Sequence, residues 1–115
     1  MTEANLAPLK PATFLILLTL AEGTHHGYAI KKAVRRRTAG QVDLGPATLY
    51  RSLNQLEEAG LIAEAEDRPA PELDDDRRRY YRLTPRGRRL AAEEARRLAD
   101  LVGAARDARL IDETA

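Results

Sequence analysis

The chain predicts a mainly α-helical domain with a small β wing, and three observations point to it. Apolar residues recur at spacings of three and four along residues 44–60 and again from Pro85 to about Arg109. Residues 61–66 and 77–83 read as strands on either side of a loop that contains Pro69 and Pro71. Glycines and prolines punctuate these stretches: Gly23, Gly40, Pro46, Gly60 and Pro85.

With 115 residues, 43% hydrophobic and 32% charged, the composition is that of one globular domain rather than a disordered chain. The absence of cysteine excludes disulfides and thiolate metal sites and is compatible with a reducing cytoplasm. The longest apolar run, residues 14–20 interrupted by Thr19, is too short to span a bilayer, and no signal peptide is recognisable. A soluble cytoplasmic protein with no membrane partner is expected. The net charge of +1 hides a segregated distribution. Lys31, Lys32, Arg35, Arg36, Arg37 and Arg51 surround a single acid, Asp43; residues 64–76 carry seven acids and one base, Arg68; residues 77–89 hold seven arginines and no acid. Two local positive fields are thus separated by a negative one.

Residues 1–10 read as a flexible N-terminal arm. The stretch TFLILLTLAE, residues 13–22, is apolar nearly all round, so it needs cover from its own domain and from a partner subunit. Phe14 and Leu17 are its candidate dimer residues. Gly23 closes this helix, and His25, His26 and Gly27 form a turn before YAIKKAVRRR. There Tyr28, Ile30, Ala33 and Val34 are expected inward, with Lys31, Lys32, Arg35 and Arg36 mainly outward. The histidine pair suits a turn or cap better than a metal site, because neighbouring histidines rarely converge on one ion and no cysteine joins them.

After a polar connection at residues 38–44 comes LGPATLYRSLNQLEEAGLI, the centre of the chain. Leu49, Leu53, Leu56 and Gly60 form one narrow stripe, Pro46 suits the first helical position, and Gly60 ends the helix. Ala47, Arg51, Asn54 and Glu58 lie opposite the stripe, with Thr48 and Gln55 beside them. Arginine pairs with guanine edges and asparagine or glutamine with adenine edges in the DNA major groove, while threonine and tyrosine hydroxyls reach phosphates or bases. Glu57 and Glu58 sit in the last turn, leaving the N-terminal half free of acid. An amphipathic surface helix would show a similar face, so the neighbouring elements decide. Helix, short connection and helix make a helix-turn-helix, and the two strands that follow make a wing.

Thr84 and Pro85 then open a helix that runs to about Arg109. Its stripe of Leu90, Ala91, Ala95, Leu98, Leu101, Val102 and Ala105 is better explained as half of a dimer interface, with Leu98, Leu101, Val102 and Ala105 as candidate contacts. Packing back onto residues 14–20 within one subunit is compatible with this. The expected class is a winged helix-turn-helix with a long C-terminal dimerisation helix: arm 1–10, DNA-binding domain 11–84, dimerisation helix 85–109 and tail 110–115.

Four segments in order, LKPATFLILLTLAEG, HGYAIKKAV, GPATLYRSLNQLEEAGLI and RRRYYRLTPRGRRL, resemble the PadR family of winged-helix transcriptional regulators over nearly the whole chain. The second and third are the most specific. The resemblance implies a dimeric repressor on double-stranded DNA, with dimerisation through the C-terminal helix supported by the first. It puts Thr48, Tyr50, Arg51, Asn54 and Gln55 against DNA and Arg77, Arg78 and Arg79 in the wing. Tyr50 flanks the leucine stripe, so packing with only its hydroxyl left for a phosphate is the competing role. Lys31 and Lys32 join Thr48, Tyr50 and the wing arginines as phosphate anchors, while Arg51, Asn54 and Gln55 carry base readout.

Two features depart from the family. The wing tip EDRPAPELDDD is long and acidic, so it is held off DNA or its acids pair with Arg77, Arg78 and Arg79 when DNA is absent. Asp74, Asp75 and Asp76 lack the spacing of a cation loop and read as a solvated acidic loop. Some family members stack aromatic drugs on tryptophan between subunits; this chain has no tryptophan, leaving any small-molecule effector unassigned. An enzyme fails for want of parts, with no catalytic set and no cofactor motif. A winged-helix module that binds protein instead of DNA is the alternative, and the acidic tip and near-neutral total favour it slightly.

Overall fold

The computed structural model describes residues 8–66 and 79–112. The first seven residues of the expected arm, most of the acidic tip, Arg77, Arg78 and the end of the tail lie outside the described residues.

Helix α1 spans Pro11–Ala21, starting two residues before the apolar run because Pro11 takes the first helical turn after an extended Lys10. Ile16, Leu17, Thr19 and Leu20 are buried, and the Thr19 hydroxyl donates to the Leu15 carbonyl at 2.8 Å, which satisfies it without a tertiary partner. Leu17 is 0% exposed, and this corrects its assignment to the dimer face: it belongs to the protomer's own core. Phe14 stays partly exposed.

The histidine pair is more than a turn. His25–His26 form a short strand, β1, and His26 also caps α2 (Gly27–Arg37) by accepting the Ala29 N–H on Nδ1 at 3.2 Å. Ile30, Ala33 and Val34 face inward as expected, but Tyr28 does not; it is 59% exposed. Arg37 closes the far end of α2 onto Glu22 with two 2.7 Å bonds.

Helix α3 spans Pro46–Glu58 and buries Leu49, Leu53 and Leu56. It ends on a left-handed Gly60, φ 78°, whose N–H donates to the Glu57 carbonyl while the Leu61 N–H reaches back to Leu56, both at 3.0 Å. Such a stop turns the chain sharply, and β2 (Ile62–Glu64) begins at once. Strand β3 (Tyr80–Leu83) lies between β1 and β2 in a three-stranded antiparallel sheet, pairing Ile62 with Leu83 and His26 with Tyr80.

Helix α4 spans Pro85–Asp107. The Thr84 hydroxyl accepts the Gly87 N–H at 3.0 Å and donates to the Gly60 carbonyl at 2.7 Å, and the Thr84 N–H donates to Leu61 at 3.1 Å. The first turn of α4 is thereby bonded to the exit of α3. One core joins Ile16, Leu17 and Leu20 of α1, Ile30 and Val34 of α2, the three leucines of α3, Leu61, Ile62, Tyr81, Leu90 and Ala91. Leu90, Ala91 and Glu94 are the last buried residues of α4; every described residue after Glu94 keeps some exposure.

Candidate nucleic-acid interface

The stripe that fixes α3 in the core decides what it presents outward. Ala47, Thr48, Tyr50, Arg51, Asn54 and Gln55 are all exposed, and no carboxylate lies among them. Among the described residues no side-chain hydrogen bond or ion pair occupies Thr48, Arg51, Asn54 or Gln55, so their polar tips face solvent. At the other end of the helix Glu58 is exposed, whereas Glu57 is bonded to Arg79 at 3.1 Å.

Tyr50 packs in part. Its ring lies against Gly27 at the start of α2, where a Cβ would come within 2.8 Å of the phenolic oxygen, and it remains 48% exposed. The absence of a side chain at Gly27 lets the Tyr50 ring lie close, bringing the second turn of α3 against the N-terminus of α2.

The two lysines of α2 separate. The Lys31 ammonium is 2.7 Å from Asp43, which Arg35 also approaches at 3.7 Å. The hydrogen bond from Lys31 is the largest influence on Asp43 and holds its carboxyl below the usual carboxylate range, so the acid just before α3 stays ionised with its charge offset by the lysine. Lys32 instead extends over the Tyr28 ring, 5.4 Å from its centroid. Together with Arg36 it lines two adjoining open depressions on the outer face of α2, and no acid is among the described residues lining them.

Of the three candidate arginines of the wing, Arg77, Arg78 and Arg79, Arg79 is the one among the described residues. Its Nη2 donates to Glu57 at 3.1 and 3.3 Å and to Glu64 at 3.1 Å, its Nε donates to Glu64 at 3.3 Å, and its guanidinium carbon lies 5.4 Å from the Tyr81 ring. These are not acids of the wing tip: one belongs to α3 and the other to β2. Burial pushes the Tyr81 phenol up, keeping it a neutral ring beside the cation.

On the distal half of α4, Leu101 and Val102 are 54% and 44% exposed, and Leu98 and Ala105 are partly buried. Beyond the end of α4, Leu110 and Ile111 are also exposed, at 76% and 40%. Glu94 was missed by the sequence reading. It is 2% exposed, bonded to Arg97 and to the backbone of Leu9, and the Arg97 bond chiefly holds its carboxyl below the usual range. The only sequence cue was an acid and an arginine three apart on one helix. Among the described residues no cluster of three His, Cys, Asp or Glu could hold a metal ion, and no helix is long and apolar enough to cross a membrane.

The profile of the transcriptional regulator PadR-like family matches residues 16–93. A curated relative, an uncharacterized 37.1 kDa protein in a transposon of Streptomyces fradiae, is 36% identical over 102 residues, covering 89% of this chain and 27% of the relative. The chain therefore spans about a quarter of that relative's length. Among solved structures, a transcriptional regulator from Clostridium thermocellum is 27% identical with a TM-score of 0.66, over 84% of this chain and 87% of that one. A PadR family transcription regulator from hypervirulent Clostridium difficile shares the fold with a TM-score of 0.67 at 23% identity, over 85% of this chain and 97% of that one.

Proposed function

Because the chain belongs to the PadR-like transcriptional regulator family, we propose that it regulates transcription by binding double-stranded DNA through α3, as a homodimeric repressor on an inverted-repeat operator. The observation that carries this reading is the acid-free, hydrogen-bond-rich face on the first turns of α3, where Thr48, Arg51, Asn54 and Gln55 extend with no partner among the described residues. An α-helix fits the major groove, and these side chains match the donor and acceptor patterns of base edges.

In this reading Arg51, Asn54 and Gln55 discriminate bases, while Thr48, the Tyr50 hydroxyl and Lys32 hold phosphates. Lys31 contributes by neutralising Asp43 rather than as a free cation. Duplication of the reading helix would come from α4, whose exposed Leu101 and Val102, with Leu98, Ala105 and Phe14, offer an apolar face to a second copy. Two recognition helices about one DNA turn apart, roughly 34 Å, would then span an inverted repeat, and occupancy of a promoter would repress it.

The test is a salt series with DNA from upstream of the protein's own gene and with a scrambled duplex of equal length. Each phosphate neutralised contributes about 0.9 to the slope of log affinity against log salt, so several contacts give a steep fall, with the upstream DNA bound more tightly. Weak, salt-independent and equal binding to both duplexes would refute the reading and favour a winged-helix module that binds protein.

A further inference from the structure

Arg79 joins three elements with one guanidinium. Glu57 lies in the last turn of α3, Glu64 ends β2, and Arg79 itself immediately precedes β3. The Nη2 group bonds both carboxylates at 3.1 Å, and the plane of the group is further placed by the Tyr81 ring. A planar fork can hold two carboxylates in a fixed relation, which a flexible ammonium cannot.

A phosphate ligand in this position would have a poor exchange. To reach DNA the guanidinium would have to leave both acids, and Glu57 and Glu64 would then stand unpaired beside a polyanion. As it stands, the same cation screens the two acids from each other and from DNA while fastening the base of the wing to the end of the reading helix.

From this geometry we infer that Arg79 is a positioning residue: it sets the angle of the wing against α3, and so sequence discrimination, through its bonds to Glu57 and Glu64 instead of through a phosphate. The inference rests on the DNA-binding reading above. Because all three side chains are partly solvated, losing the bridge changes orientation more than fold stability.

Four variants, R79Q, R79K, E57Q and E64Q, are compared with the wild type on the upstream and scrambled duplexes across a salt series, with far-UV circular dichroism as the check on folding. The inference predicts that each lowers the ratio of upstream to scrambled affinity by about 2- to 30-fold, the range for a coupling network of this kind. R79Q is predicted to keep the wild-type salt slope. The glutamate variants are the sharpest arm, since removing an acid near DNA should on charge alone tighten binding to every sequence. If E57Q and E64Q bind both duplexes more tightly at an unchanged ratio, the inference is overturned. It is equally overturned if R79Q flattens the slope by about 0.9 and weakens both duplexes alike, or if R79K behaves as wild type, as a phosphate contact requires. Should R79Q or R79K not fold, the two glutamate variants decide alone. A wild type without salt-dependent DNA binding overturns the DNA-binding reading and this inference with it, and is distinguishable because it appears before any substitution is made.

Discussion

Gly87→Ala sets local propensity against tertiary geometry. Gly87 is the third residue of α4, and on helix propensity alone alanine there should stabilise by about 1 kcal/mol. Yet a Cβ at this position would stand 2.0 Å from the Leu61 carbonyl oxygen and 2.9 Å from its carbonyl carbon, where ordinary contact begins at 3.4 Å. Both obstacles are backbone, so no rotamer change relieves them. The first turn of α4 must back away from Leu61 by more than an ångström, stretching the 3.1 Å bond from Thr84 N–H to Leu61 and the 2.7 Å bond from the Thr84 hydroxyl to Gly60. Overpacking costs about 1–3 kcal/mol and each hydrogen bond about 1 kcal/mol, which leaves a net loss of about 2–4 kcal/mol after the propensity gain. For a domain of this size that is a fall in Tm on the order of 10–25 °C. Urea and thermal unfolding followed by far-UV circular dichroism at fixed protein concentration measure it, since association would otherwise shift the midpoint. A variant at least as stable as the wild type would refute the close-approach argument.

Arg51→Ala should cost about 1–3 kcal/mol of binding to the upstream duplex and relax selectivity at one base pair, and an equal loss on scrambled DNA would remove its base-reading role. Leu101→Asp, which places a charge on a residue 54% exposed in the protomer, should shift the light-scattering mass from dimer to monomer without loss of helix content; a wild type already of monomer mass would remove the dimer face. The Glu94 carboxyl is held below its ordinary 4.5 by the bond from Arg97, so its contribution is present at neutral pH and lost as pH falls below that value. The gap in urea midpoint between wild type and Glu94→Gln should therefore shrink between neutral pH and about pH 3, and a constant gap would exclude a charge-based role.

The parts of the fold that were legible in the sequence are those fixed by local chemistry. Leu49, Leu53 and Leu56 repeat at one angle, Gly60 takes a conformation that glycine favours, and Thr84 followed by Pro85 is a helix start whatever surrounds it. Tyr28 was misread because it was counted inward by type. At 100° per residue it lies opposite Gly27, Ile30, Ala33 and Val34, and the angle was the better guide. Leu17 was misassigned to the dimer face for another reason: a helix apolar on all sides does not say which side its own domain covers. A two-residue strand has no period to read, so β1 is defined by the neighbouring edge of β3, and Gly87 shows its purpose only once the turn at Leu61 brings two backbones together. The outward placement of Thr48, Arg51, Asn54 and Gln55 was legible for the same reason as the stripe, since an outward face is what remains when the inward one is fixed.

The bonds around Leu61 also bear on how a dimer would set its reading distance. Gly60 and Leu61 leave α3, and both of their carbonyls are taken by Thr84 at the start of α4, with Gly87 allowing the backbones to touch. These bonds fasten the start of α4 directly to the exit of α3, the helix proposed to read DNA. A rotation of α4 at a dimer face must therefore carry the C-terminal end of α3 with it, while the N-terminal end is held to α2 by Tyr50 lying on Gly27. In the proposed dimer, half-site spacing is then a property of the α3–α4 junction as much as of the apolar contacts at Leu101 and Val102. Any ligand or substitution that altered the angle of α4 would change the separation of the two reading helices, with no contact to DNA of its own.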